Sequence, residues 1–237
     1  GEILFKELDL TFVDYLIGGE TEFLIQPLLY AHFNDKTMLK KIEGICYKTD
    51  KIWHSNPVTY FNENLDEIPF PDRSLMNNSI YINPDKNLPM ATISTSRGCP
   101  CSCIYCLSPI ISGYKVRFRS SQNIFEEIKE CVEKYNIREF FFKSDTFTID
   151  KQRVIELCDL IINSSLFGKI SWCANSRVNT IDKELLFKMK TAGCYLIALG
   201  IESGSKESLL KMKKGITVEQ SINAVKLIKK SGISIFG

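Results

Sequence analysis

From residue 90 onward the 237-residue chain alternates strand-like and helix-like segments, and that alternation restricts it to one class of architecture. Apolar runs at 90–95, 139–143, 170–174, 195–201 and 233–236 read as strands, and helical periodicity occupies 122–135, 151–162, 183–192, 206–212 and 218–230. Ser120 and Ser121 are placed to cap the first of these helices, while Gly193 and Gly232 are placed to end two others. Strands separated by helices imply parallel pairing with crossover connections, so the expected class is α/β. Five such strands are too few to close an eight-stranded barrel, which takes about 250 residues by itself. The expectation is a partial (β/α) TIM-like barrel over residues 89–237, in a chain that reads as cut short at both ends.

Functional groups in such a fold gather where the strands end. Directly after the first strand stands Ser94-Thr-Ser-Arg-Gly-Cys-Pro-Cys-Ser-Cys-Ile-Tyr-Cys106. Its Cys-x3-Cys-x2-Cys spacing, through Cys99, Cys103 and Cys106 on a loop with Gly and Pro, lets three thiolates surround one inorganic centre. A four-iron cubane held by three cysteines keeps one iron open for a ligand, as a catalytic zinc keeps an open position. Zinc is the weaker reading: both histidines, His32 and His54, lie far upstream, and only Cys101 stands by as a fourth sulfur. Disulfides are weaker still, because nine cysteines is an odd number and Cys131, Cys158 and Cys194 fall in apolar periodic segments that suit buried thiols.

The run Thr95-Ser-Arg-Gly-Cys-Pro-x-x-Cys-x-Tyr-Cys106, followed by Val116-Arg-Phe-Arg-Ser120, resembles the cluster loop of radical S-adenosylmethionine enzymes, especially the branch with an N-terminal cobalamin-binding domain. The resemblance implies a [4Fe–4S] cluster on Cys99, Cys103 and Cys106. Its open iron would chelate S-adenosylmethionine, and one-electron reduction would cleave the sulfonium to a 5′-deoxyadenosyl radical. It further implies that Tyr105 packs near the adenine. Ser144 and Asp145, in Lys143-Ser-Asp-Thr-Phe147, match the position that holds the methionine amino group, although Asp145 is equally suited to cap the next helix. Arg177, ending Cys173-Ala-Asn-Ser-Arg177, matches the ribose and carboxylate region, where a guanidinium can grip an oxyanion bidentately. Glu202 and Ser203 stand in Gly200-Ile-Glu-Ser-Gly-Ser205, with Glu202 matching the acceptor of the ribose hydroxyls. Lys214, in Lys213-Lys214-Gly215, matches a cation for the methionine carboxylate, and an exposed charge at a helix end is the plain alternative.

The first 85 residues differ in character. Residues 12–20 read as a strand into a Gly-rich turn, 21–32 as an amphipathic helix, and 42–47 with 51–53 as a hairpin. Together they resemble the C-terminal part of a Rossmann-like cobalamin-binding domain over 1–60, and the Pro-containing stretch 61–88 reads as a linker. Gly18-Gly19-Glu20 looks like the run that binds the methionine amino group in such enzymes. There it lies downstream of the cysteines, so a structural turn is the better reading.

A net charge of +2 with 24% charged residues, mixed in sign, argues against a nucleic-acid surface, and no apolar run reaches the roughly 20 residues of a membrane span. These features place the chain in the cytoplasm. The implied activity is radical methyl transfer or another radical modification of an unidentified small molecule or peptide. Its cofactors are the cluster, S-adenosylmethionine and, in the whole protein, cobalamin, with an electron donor such as flavodoxin or ferredoxin as partner. Two alternatives are a methylthiotransferase-like enzyme acting on RNA or protein, against which Cys46 stands alone upstream of the loop, and a non-catalytic metal- or nucleotide-binding fragment.

Overall fold

The computed structural model describes residues 10–237, so the first nine residues of the expected N-terminal domain lie outside the described part. The chain divides into two compact units. The first runs to Glu63 and takes in Ile110–Gly113; the second comprises Asn64–Pro109 and Tyr114–Gly237.

The first unit is a three-stranded antiparallel sheet, β1 (Tyr15–Ile17), β2 (Ile45–Thr49) and β3 (Ile52–Ser55), with helix α1 (Ile25–Phe33). Leu28 and Ala31 of the helix are buried with Ile45 and Tyr47 of β2 in one small core. The hairpin lies later in the chain than its apolar pattern suggests, because its turn is the two-residue Asp50-Lys51, both left-handed at φ 49° and 67°. Such a turn matches the twist of the strands it joins. The Gly18 N–H donates to the Gly44 carbonyl at 2.7 Å, and a Cβ on Gly44 would lie 2.8 Å from the Gly18 carbonyl oxygen. Gly18-Gly19-Glu20 is thus a turn where two backbones nearly touch.

The second unit is built on a six-stranded sheet: β4 (Ile82–Asn83), β5 (Leu88–Ser94), β8 (Glu139–Lys143), β9 (Ser171–Ser176), β10 (Cys194–Leu199) and β11 (Ser234–Phe236), in spatial order β11-β10-β9-β8-β5-β4. The five strands expected from the sequence run parallel, and the short β4 adds an antiparallel edge. Between β5 and β8 lie β6 (Ser96–Arg97), a one-turn helix α2 (Ser108–Ser112), β7 (Arg117–Phe118) and α3 (Ser121–Tyr135). The remaining helices are α4 (Lys151–Ile162), α5 (Lys183–Thr191), α6 (Lys206–Lys211) and α7 (Val218–Ser231). Local chemistry sets their ends. Ser120, Asp150, Asp182, Ser205 and Thr217 each accept a backbone N–H at a helix start, and Asn136 and Gly232 close α3 and α7 in the left-handed conformation.

Alternation along the strands sends Phe140, Phe142, Trp172, Ala174 and Ile197 into one apolar core with Ile124, Ile128, Leu157, Leu185 and Ile228 of the helices. Trp172 stacks on Phe142 at 4.8 Å between ring centres and donates its indole N–H to the Ala192 carbonyl at 2.9 Å. At the starts of the strands sits a polar cluster. Lys86 pairs with Glu139 at 2.8 Å and lies 3.9 Å from the Tyr195 ring centre; Asn83 donates to the Tyr195 hydroxyl at 2.7 Å, and Ser171 donates to Glu139.

Of the stretch 61–88 read as a linker, residues 64–88 pack within this second unit. The strongest reason is Arg73, which meets the buried Glu127 of α3 at 2.6 Å while Arg119 meets the other oxygen of the same carboxylate at 2.5 Å. Arg119 also donates to the Ser94 carbonyl at 2.9 Å, and Arg73 to that of Thr92 at 3.3 Å, so both guanidiniums grip the end of β5. Removing one member of a buried ionic group strands the others without a partner, at about 3–5 kcal/mol. Glu127→Ala is therefore expected to lose about that much stability in denaturant titration. A loss below about 1 kcal/mol, the range of surface pairs, would show that the cluster does not anchor the strand.

Candidate active site at the C-terminal ends of the strands

The parallel strands bring their C-terminal ends to one side of the sheet, where a cavity of about 330 Å³ opens. Cys99, Cys103 and Cys106 reach it from the loop after β6, Asp145 from the turn after β8, and Arg177 from the end of β9. Gly200 and Glu202 line it beyond β10, Lys214 beyond α6, and Phe236 at the end of β11.

The cysteine loop is closed at its neck by β6 and β7, where Ser96 pairs with Phe118 and Arg97 with Arg117. Gly98, at φ 91°, turns the chain out of β6. The Ile104 N–H then donates to the Met212 carbonyl at 3.1 Å, and Cys106 N–H to the Cys103 carbonyl at 3.1 Å. All nine cysteines are free thiols. Burial pushes the Cys99 thiol up to about 11, with Cys101 beside it as a further cause, so Cys99 holds its proton unless a cation draws it off.

The donor set suits an iron–sulfur cluster. Four thiols, those of Cys99, Cys101, Cys103 and Cys106, line one cavity, while among the described residues no three Cys, His, Asp or Glu side chains converge closely enough to hold a single ion. A cubane takes one thiolate at each of three corners, so its ligands stand further apart than those of zinc. Arg177 supplies a second observation: it is 8% exposed, its Nη1 is directed at Cys103 Sγ at 3.9 Å, and its charge also acts on the Glu202 carboxyl. A buried guanidinium calls for negative charge nearby, which ligating thiolates provide.

Across the cavity Lys214 and Glu202 form an ion pair at 2.8 Å, with the lysine side chain 7% and the glutamate 34% exposed. The hydrogen bond from Lys214 holds the Glu202 carboxyl below the usual carboxylate range. Glu202 is left-handed at φ 62°, an unfavourable conformation for a glutamate, and this bend ends β10 at Leu199, short of the expected residue 201. Gly200 makes room for the pair, since a Cβ there would lie 2.8 Å from Lys214 Nζ and 3.0 Å from Glu202 Oε1. Tyr105 stands beside them, its ring centre 6.0 Å from Lys214 Nζ; burial first, then the neighbouring Glu202, raises its phenol above the ordinary range.

Of the residues singled out from the sequence, Cys99, Cys103, Cys106, Tyr105, Asp145, Arg177, Glu202 and Lys214 line this one cavity. Ser144 and Ser203 do not. Ser144 is buried with its hydroxyl unbonded, and its backbone N–H and carbonyl both meet the Asn175 side chain. The Ser203 hydroxyl accepts the Ser205 N–H at 3.0 Å, in the turn leading to α6. Sequence reasoning passed over Asn175, which fastens β9 to the turn after β8, and Gly200. Asn175 falls on the opposite face of β9 from the buried Trp172 and Ala174, and that alternation could have drawn attention to it.

Comparison with known proteins bears on the family and the fold. The chain is 36% identical over 225 residues to an uncharacterized methyltransferase of Pyrococcus horikoshii, covering 95% of this chain and 48% of that protein. It is 27% identical over 229 residues to the anaerobic magnesium-protoporphyrin IX monomethyl ester cyclase of Cereibacter sphaeroides, covering 93% and 36%. The chain thus spans less than half the length of these relatives. Among solved structures, the fold matches the cobalamin-dependent S-adenosylmethionine radical enzyme OxsB with a TM-score of 0.79 at 22% identity, over 95% of this chain and 33% of that one. It also matches the radical S-adenosylmethionine methyltransferase TsrM of Kitasatospora setae with a TM-score of 0.72 at 17% identity, over 94% and 45%. Residues 93–237 fit the family model described as the radical SAM superfamily, and the chain belongs to that superfamily.

Proposed function

We propose that this chain is the cofactor-binding part of a radical S-adenosylmethionine enzyme of the cobalamin-associated, methyl-transferring kind. The observation that carries the reading is that the thiols of Cys99, Cys103 and Cys106 share one cavity with the Glu202–Lys214 pair. When bound, a [4Fe–4S] cluster and S-adenosylmethionine supply one-electron cleavage of the sulfonium to a 5′-deoxyadenosyl radical. The protein's part is binding and orientation. The three thiolates hold the cluster, Glu202 offers two acceptor oxygens to ribose hydroxyls, Lys214 offers a cation to the methionine carboxylate, and the Tyr105 ring offers a face to the adenine. Asp145, which lines the same cavity, would hold the methionine ammonium. Glu202 and Lys214 satisfy each other in this structure, so the ligand's own hydroxyls and carboxylate would replace their mutual contact. A low-potential donor such as flavodoxin or ferredoxin would deliver the electron.

Methyl transfer and cobalamin are supported by the names of relatives and structural neighbours, which include a cytidylyl-2-hydroxyethylphosphonate methyltransferase of Streptomyces wedmorensis at 25% identity. Within the first unit, a cavity of about 380 Å³ is lined by Leu24, Pro27 and Val58 together with the charged Glu20, Lys41 and Glu43, a mixed lining that would take a flat heteroaromatic base with polar substituents such as the cobalamin tail carries. No helix among the described residues is long and apolar enough to cross a membrane.

Two experiments test the reading. Anaerobic reconstitution with iron and sulfide is expected to give the broad visible absorbance of an iron–sulfur cluster, with Cys103→Ala losing it; stoichiometric zinc without iron would refute the assignment. A Cβ at residue 200 would meet Lys214 Nζ at 2.8 Å and Glu202 Oε1 at 3.0 Å, so Gly200→Ala is expected to displace the pair and weaken S-adenosylmethionine binding about tenfold, or about 1.4 kcal/mol, by calorimetry. Equal affinity in wild type and variant would remove the Glu202–Lys214 pair from the binding site.

A further inference from the structure

Arg177 is a buried cation, 8% exposed, whose terminal nitrogens are both engaged: Nη2 donates to the Lys214 carbonyl, and Nη1 is directed at Cys103 Sγ at 3.9 Å. Glu202, the acid across the cavity, is held by Lys214 at 2.8 Å. Cys103 is itself buried at 9% exposure, so water screens the guanidinium and the sulfur from each other only weakly.

We propose that Arg177 is a positioning residue that raises the reduction potential of a cluster held by Cys99, Cys103 and Cys106, and that the same side chain ties the loop carrying Lys214 to the cysteine loop. The inference rests on the cluster assignment above. Reduction of the cluster takes one electron from an external low-potential donor, with no bond made or broken and no proton taken up at Arg177. The added negative charge spreads over irons and sulfurs, so a fixed cation beside a ligating sulfur stabilises the reduced state more than the oxidised one. A guanidinium is suited to this task because it stays charged at every working pH and presents several donors in a fixed plane. One of them reaches the sulfur while another holds the Lys214 carbonyl. Removal of the side chain should therefore make the cluster harder to reduce and loosen the loop that presents Lys214.

The test compares wild type, Arg177→Gln and Arg177→Lys, each reconstituted anaerobically and titrated with dithionite under EPR observation, without S-adenosylmethionine. Arg177→Gln is expected to hold about tenfold less reduced cluster at the wild-type midpoint, a shift of about 59 mV to more negative potential for one electron. Arg177→Lys, which keeps the cation, should recover most of that shift. Both should bind S-adenosylmethionine more weakly than wild type, because neither reproduces the two-pronged grip. Should Arg177→Gln fail to fold, Arg177→Met, which keeps the length of the side chain, carries the same expectation. Equal potentials in wild type and in a charge-free variant with an intact cluster would overturn the proposal, since a purely structural role would leave the potential unmoved. A wild-type protein that takes up no cluster would overturn the cluster assignment and this inference with it.

Discussion

The carboxylate of Glu127, gripped by two guanidiniums in the interior, is the constraint on which the site depends. Arg73 arrives from the segment before β4 and Arg119 from the end of the β6–β7 hairpin, and both also bond to carbonyls at the end of β5. One acidic side chain on α3 therefore fixes three things at once: the approach to the sheet, the last residues of its first parallel strand, and the neck of the cysteine loop. Such an arrangement adds less net stability than its contacts suggest, because three charges leave water to form it. What it contributes here is a defined position for Ser94 and, two residues on, for the hairpin that launches the cysteines.

Beyond that neck the cavity divides its work by chemistry. Soft thiols crowd one wall, and a carboxylate with two cations occupies the other. The two walls touch through Arg177, which reaches Cys103 with one nitrogen and the Lys214 backbone with another. The left-handed backbone at Glu202 shows that the second wall is imposed on the chain, since a glutamate would not choose φ 62° unaided.

Much of this was legible in the sequence. The five parallel strands, the helices between them and the cysteine spacing emerge from periodicity and local chemistry, because caps and apolar alternation act over a few residues. What stayed hidden depends on partners far along the chain. Residues 61–88 read as a linker because nothing local says that Arg73 will meet Glu127, 54 positions later. The β6–β7 pairing is only two residues deep, too short for a period to register. Gly200 stands in a motif that the sequence shows, but its role is hidden for a different reason: its importance lies in the side-chain atoms that come near it, Lys214 Nζ and Glu202 Oε1. Ser144 and Ser203 sit in telling segments, yet the direction a short side chain takes at a strand end is set by tertiary packing.

The polar cluster at the strand starts gives the second unit its polarity of use. Asn83, which ends β4, and Lys86, on the turn after it, fill the space beside Glu139, Ser171 and Tyr195 with matched charges and hydrogen bonds. That end of the sheet offers an incoming molecule little unspent polarity. The strand starts are thus closed by the protein's own side chains, and the cavity opens at the opposite end, where the strands finish.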